Sequence, residues 1–331
     1  MLNNRSLLIT GGTGFLAREI VSTVMKRFSG VKIVIFSRDE YKHAEMQEDP
    51  NYRREGIKFV LGDIRDLDRV KWALQDIDFV IHAAALKNVP MGEENPTEYI
   101  KTNIGGTKNV ITAAQLRKVK KLIAISTDKA VNPVSLYGST KLCADKLISS
   151  ANNDGNKTIS SVVRLGNIWG SRGSVVPTFL RKRKDGNLPI THPQMTRFSI
   201  TARQASECVL TSLEQAIGGE IFIPRHLNAY RLIDLAKAIG PECEYSITGA
   251  RPGDKMHETL ISRDEADRVL ENESSFIIIP DSNEGDSYLS YSSYSKTFPN
   301  GLSSDQLPDF MSLEELHDLL AERQEDPLVT V

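Results

Sequence analysis

Ser126-Thr127-Asp128-Lys129 is followed by Tyr137 and, four residues later, by Lys141. A carboxylate, an amine and a phenol with a cationic neighbour therefore lie close together, and each can move a proton at an alcohol carbon. A phenol at its ordinary pKa of about 10 is a poor base at neutral pH. On a helix, Lys141 stands one turn from Tyr137 on the same face, where its charge favours the phenolate. Tyr137 can then remove a hydroxyl proton while hydride leaves the same carbon, provided that a hydride acceptor is held beside it.

The elements that would hold such an acceptor are readable upstream. Ser6 to Thr10, Val31 to Phe36, Ile57 to Leu61, Phe79 to His82, Leu122 to Ser126 and Ile159 to Arg164 are short, β-branched and almost wholly apolar, as strands buried on both faces must be. Amphipathic stretches such as Phe15 to Phe28 and Asn103 to Arg117 alternate with them. Alternating βα units predict an α/β fold, a Rossmann-like doubly wound parallel sheet with right-handed crossovers. After about Asn167 the rhythm fails, and Pro177, Pro189, Pro193, Pro224, Pro241 and Pro252 punctuate shorter segments. We expect residues 1–166 to form the dinucleotide-binding part, with some later segments returning to it, and 167–331 mainly a smaller substrate-binding lobe. The stretch 283–306, rich in Ser, Asn, Asp and Tyr, reads as irregular surface, and Ser312 with Glu315 as a capping box that opens a last helix.

The first strand runs into Gly11-Gly12-Thr13-Gly14-Phe15-Leu16-Ala17. Gly11 and Gly14 let the backbone turn tightly and bring its amides, with those around Thr13, Phe15 and Leu16, to a pyrophosphate at a helix N-terminus. The second strand ends in Ser37-Arg38, then Asp39. A hydroxyl and a guanidinium suit the 2′-phosphate of NADP, with Lys42 as a second cation; the alternative is Asp39 on the ribose of NAD. Asp63 and Ile64 follow the third strand and would meet the adenine. Ala83, Ala84 and Ala85 follow the fourth, where small side chains let the cofactor lie against backbone. His82 reads as a packed strand-end residue, and Lys87 as a cation placed to meet substrate.

Bulk properties agree with a metabolite enzyme. The 331 residues are 40% hydrophobic and 25% charged with a formal net charge of −2, which gives no general attraction for nucleic acid or a membrane surface. Three separated cysteines make neither a disulfide framework nor a metal site. Without a leader-like start or an apolar run of about 20 residues, a soluble cytoplasmic protein is expected.

Taken together, STDKAVNPVSLYGSTKLCADKL, HAAALKNVP, KTNIGGTKNVI, RLGNIWGSRGSVVP, MTRFSIT and GARPGDKMHE resemble the extended short-chain dehydrogenase/reductase superfamily acting on nucleotide sugars. Within it they are most similar to the soluble inverting UDP-N-acetylglucosamine 4,6-dehydratases of the pseudaminic acid pathway type, from Leu7 to about Ile279. The resemblance implies that Thr127 hydrogen-bonds the reacting hydroxyl and that Tyr137 and Lys141 oxidise C4. Retaining dehydratases carry Asp-Glu after that threonine; Asp128-Lys129 is the inverting pattern. It implies that Lys129 removes the C5 proton while Asp128 helps water leave from C6. For that, Lys129 must be neutral part of the time, with a pKa well below about 10.4 through burial or nearby positive charge.

The resemblance also implies a UDP-N-acetylglucosamine site, with Arg197 and Arg251 on the diphosphate, Asn167, Ser174 and Val175 on sugar and nucleotide, and Thr191 near the base. The basic run Arg181 to Lys184 reads instead as a solvated helix face. Family members usually have His where this chain has Asn88, and Leu165 and Trp169 also depart from the pattern, which bears on substrate preference. A homo-oligomer, dimer or hexamer, is implied. The remaining readings are a retaining dehydratase, a UDP-hexose 4-epimerase and a non-catalytic NADP-sensing module.

Overall fold

The computed structural model describes residues 1–152, 157–280, 288, 293–294 and 298–324. Six strands, β1 (Ser6–Thr10), β2 (Lys32–Ser37), β3 (Ile57–Leu61), β4 (Phe79–His82), β5 (Lys121–Thr127) and β6 (Ile159–Leu165), pair in parallel in the order 3-2-1-4-5-6. Each lies within a residue of its expected bounds. All five residues of β1 are buried, which explains its unbroken apolar run.

Helices cover both faces. Phe15–Arg27 packs with Ala202–Gln215 on one side, sharing a core that includes Ile20, Val24, Val209 and Leu213. Leu67–Ala73, Thr107–Leu116 and Leu136–Ser150 cover the other through Val70, Val110 and Ile148. The order reverses between β1 and β4, which opens the crevice where open α/β sheets bind ligands.

The sheet continues past β6. Ile221–Pro224 pairs with β6 in parallel, then Ser275–Ile278 and Val269–Glu271 follow antiparallel. These late segments are part of the first layer. The remaining strands form small sheets, Asn167–Ile168 with Thr196–Ile200 and Asn228–Arg231, and Asn187–Ile190 with Glu244–Ile247. Around them lies a separate core that includes Phe179, Leu188, Tyr230 and Leu316. Of the stretch 283–306, Ser293–Tyr294 extends the main sheet and Leu302–Ser303 pairs with Thr259–Ile261; residues 283–287, 289–292 and 295–297 lie outside the described residues. The Ser312 and Glu315 capping box forms in both directions, at 2.7 and 3.2 Å.

One helix differs from expectation. Instead of a helix from Asn103, a π-helical segment Ile100–Gly106 precedes Thr107–Leu116. The wider turn places the buried Asn103 amide against Leu86, accepting from its N–H at 2.8 Å and donating to its C=O at 2.9 Å. A helix irregularity is thus used to hold the loop that carries Lys87.

Arg164 at the end of β6 is 1% exposed and donates two 3.0 Å hydrogen bonds to Glu265, with Asp145 at 3.9 Å. Burial works against the Glu265 charge, but Arg164 overcomes it and holds the carboxyl below its ordinary range. That stabilisation is therefore complete above about pH 4.3 and fades as the pH falls through the lowered value. Glu265→Ala, which removes both hydrogen bonds and leaves the buried guanidinium only Asp145 at 3.9 Å as an ionic partner, is expected to cost about 3 kcal/mol in denaturant unfolding at neutral pH.

Candidate active site

A cavity of about 1020 Å³ runs from the β1 loop to the second lobe. At one end, Gly11 takes φ +64°, and a Cβ there would stand 2.8 Å from Ala84 Cα. The two strand-end loops are thus in backbone contact, a cradle that any side chain would fill. The next helix begins after Gly14 with no side-chain cap, so its first amides remain for a ligand's negative charge. Thr13, Phe15, Leu16, Ser37, Arg38, Lys42, Asp63, Ile64, Ala83, Ala84 and Ala85 all line this end. The residues present fit a dinucleotide.

Details of the adenosine end bear on which one. Asp39 caps the helix Glu40–Glu48, accepting from Lys42 N at 3.1 Å, and also pairs with Lys42 Nζ at 2.8 Å. Its carboxylate is already engaged by Lys42, which also lines the cavity. Arg38 lies 3.9 Å from Asp63. Asp63 in turn accepts from Arg65 N and Nε, both at 2.9 Å, so a competing guanidinium occupies the carboxylate expected to meet the adenine. His82 is a packed residue: Thr10 and Thr107 hydroxyls lie 2.7 and 3.0 Å from its ring nitrogens, and burial takes its pKa down to about 3.

The proton-transfer groups meet in mid-cavity. Ser135 caps the helix Leu136–Ser150 by accepting from Gly138 N. A Cβ on Gly138 would lie 2.2 Å from Lys129 O, so glycine allows this helix to seat Tyr137 against the end of β5. Contrary to the phenolate expected beside Lys141, burial pushes the Tyr137 phenol up to about 12, and the cation that pulls against burial is Lys129. Lys141 donates to Ile125 O at 2.8 Å, and burial lowers its pKa.

Lys129 reverses one expectation. Its Nζ stands 3.0 Å from Asp128 Oδ1, 3.0 Å from Asn167 Oδ1 and 3.2 Å from Glu258 Oε1. Burial opposes the charge, but the two carboxylates overcome it and raise the pKa above the ordinary lysine value. The amine is therefore an ammonium here; nearby negative charge outweighs the desolvation expected to neutralise it. The Asp128 pKa is raised as well, by burial against the pull of Lys129, which for a carboxyl favours the neutral form.

Asp128 also corrects the expected geometry. It is 0% exposed and lies behind Thr127 and Lys129, both of which donate to its Oδ1, at 2.9 and 3.0 Å. Every other expected site residue lines the cavity; Asp128 does not. It cannot touch a C6 hydroxyl directly and must act through those two neighbours.

The substrate-side residues Lys87, Asn167, Ser174, Val175, Thr191, Arg197 and Arg251 line the other end. Ser174 Oγ is buried there without a hydrogen-bond partner among the described residues. Arg197 donates to Thr196 O at 2.7 Å, whereas Arg251 is exposed and held by Asp254 at 2.9 Å. Asn167 is turned to Lys129. Of the departures, Leu165 and Asn88 line the cavity, Asn88 also capping the helix Val89–Glu94, whereas Trp169 donates to Leu319 O at 3.1 Å outside it. Trp169 thus has no direct contact with a ligand in this cavity. Glu258, 2% exposed, was not among the expected site residues although it closes the stretch GARPGDKMHE.

Residues 7–280 match the family described as polysaccharide biosynthesis protein. The chain is 43% identical to a UDP-N-acetylglucosamine 4,6-dehydratase (inverting) of Campylobacter jejuni subsp. jejuni serotype O:23/36, over 97% of this chain and 98% of that one. It is 40% identical to a UDP-glucose 4-epimerase of Rickettsia bellii, with 80% of each covered. Among solved structures, Pen from Bacillus thuringiensis superposes with a TM-score of 0.88 at 35% identity, covering 97% of this chain and 99% of Pen. With its β1 glycine cradle, its Tyr137-Lys141 pair and relatives spanning nearly its whole length, the chain belongs to the polysaccharide biosynthesis protein family.

Proposed function

We propose that this chain is an inverting UDP-N-acetylglucosamine 4,6-dehydratase that forms UDP-2-acetamido-2,6-dideoxy-β-L-arabino-hexos-4-ulose. The observation that carries the reading is Lys129, bound to Asp128 and facing the cavity that Tyr137 and Lys141 also line. An oxidation at C4 alone needs only the tyrosine and lysine. A charged amine with a buried carboxylate behind it is what water loss across C5 and C6 adds. The Campylobacter jejuni relative supports the same substrate and outcome.

Thr127 and Tyr137 hold the C4 hydroxyl, and Tyr137 takes its proton, with the Lys141 charge stabilising the phenolate. When bound, the nicotinamide dinucleotide supplies reversible hydride transfer, accepting from C4 and returning to C6. The C5 proton, now beside a ketone, goes to Lys129. To receive it the ammonium first passes a proton to Asp128, 3.0 Å away, whose raised pKa makes it a ready acceptor. Lys129 then carries the C5 proton and gives one to the departing C6 oxygen, so that C5–H and C6–OH leave together as water. Return of the proton from Asp128 restores the ion pair. C5 is reprotonated on the opposite face, which inverts it, by a solvent-exchanged proton that balances the one Tyr137 took from the C4 hydroxyl and now gives up.

NADP is the dinucleotide we favour, because Arg38 stands at the end of β2 while Asp39 is occupied as a helix cap. Arg197 and Arg251 are the diphosphate contacts, Asn167, Ser174 and Val175 those of sugar and nucleotide, and Thr191 that of the base. We place the enzyme in the cytoplasm as a dimer or hexamer, feeding pseudaminic acid biosynthesis; among the described residues no helix is long and apolar enough to cross a membrane.

Incubation with UDP-N-acetylglucosamine in D₂O is expected to give a product that has lost one water and carries deuterium at C5 in the inverted configuration, read by mass spectrometry and proton NMR. A product of unchanged mass would favour the epimerase activity named for the Rickettsia relative. Arg38→Ala is expected to weaken NADP binding by about tenfold or more relative to NAD, read by calorimetry.

A further inference from the structure

Glu258 has no assigned part in this chemistry, yet it touches its central group. Its side chain is 3% exposed and lies 3.2 Å from Lys129 Nζ, 3.8 Å from Arg197 Nε and 3.9 Å from Lys255 Nζ. Ser304 fixes the residue from behind: its Oγ accepts from Glu258 N at 3.0 Å and its N–H donates to Glu258 O at 2.8 Å. An ammonium has three N–H donors. Asp128, Asn167 and Glu258 stand within reach of all three, which fixes where Nζ points.

We propose that Glu258 is a positioning residue for water loss, a second buried carboxylate that holds the Lys129 amine against the cavity. The inference rests on the dehydratase reading above. Asp128 takes the first proton, and Glu258 together with Asn167 keeps the amine aimed at the sugar once that proton has left. Glu258 acts through Lys129 and does not contact the sugar carbons itself.

Other charges in the site fit this division. Lys129 is faced by the carboxylates of Asp128 and Glu258, by the cation of Arg197, and by Lys87, whose own pKa is lowered by desolvation and then by Lys129. Tyr137 and Tyr230 are its phenolic neighbours. Burial opposes the Glu258 charge, but Lys129, Arg197 and Lys255 overcome it and keep the carboxyl below its ordinary range. It stays ionised while Asp128, with its raised pKa, handles the proton.

The test is Glu258→Gln, which keeps the shape and removes the charge. In protein carrying ¹³Cε-lysine, with the Lys129 signal assigned from Lys129→Met, the Lys129 titration midpoint is expected to fall by about one pH unit or more. Water loss from UDP-N-acetylglucosamine is expected to slow by about tenfold or more, and its pH profile to shift in the same direction. Either quantity unchanged in the folded variant overturns the proposal, since a charge that only neutralises its neighbours would not move both. If Glu258→Gln does not fold by circular dichroism, Glu258→Asp, which keeps the charge but withdraws it by one methylene, is read the same way, with the same outcome overturning. Wild-type enzyme that releases no water would refute the dehydratase reading instead, while the titration would still report on Glu258.

Discussion

An ammonium in a largely desolvated cavity must be paired, and that requirement organises the centre of this molecule. Lys129 meets it with two carboxylates, Asp128 beside it in sequence and Glu258 from far along the chain, just before Thr259–Ile261. Burial lifts Asp128 towards neutrality while the carboxylates hold Lys129 charged, and 3.0 Å separates the two groups.

The scaffold around this pair is arranged to bring backbone unusually close to it. Gly138 lets the tyrosine helix sit on the carbonyl of Lys129, and Gly11 lets the β1 loop rest on Ala84. The π-helical segment Ile100–Gly106 turns Asn103 onto the loop before Lys87. Each device costs regularity in an element and gains the placement of a functional group. Arg164, Asp145 and Glu265 form the corresponding buried charge network behind the cavity, tying β6 to the turn after Thr259–Ile261.

Much of this was legible in the chain because local pattern and local geometry agree. The six apolar runs, the glycine loop after the first and the Tyr137-Lys141 spacing each depend on neighbours in sequence, and each is found as expected. Charge state was not legible, because it depends on partners far along the chain. Lys129 was expected to be neutralised by burial; Glu258, which helps keep it charged, lies far along the chain. For the same reason the enclosure of Asp128 and the capping role of Asp39 emerged only from the folded chain, and Trp169, beside the site in sequence, faces a helix at the far end of the chain. An acidic residue closing the stretch GARPGDKMHE was the sign of Glu258 that the chain itself carried.

The central claim is that Lys129 removes the C5 proton after Tyr137 has enabled oxidation at C4. Single-turnover mixing of NADP-loaded Lys129→Met with UDP-N-acetylglucosamine tests it most directly. The account predicts that reduced-nicotinamide absorbance rises and persists while no water is lost from the sugar. Water loss at the wild-type rate in that variant would contradict it.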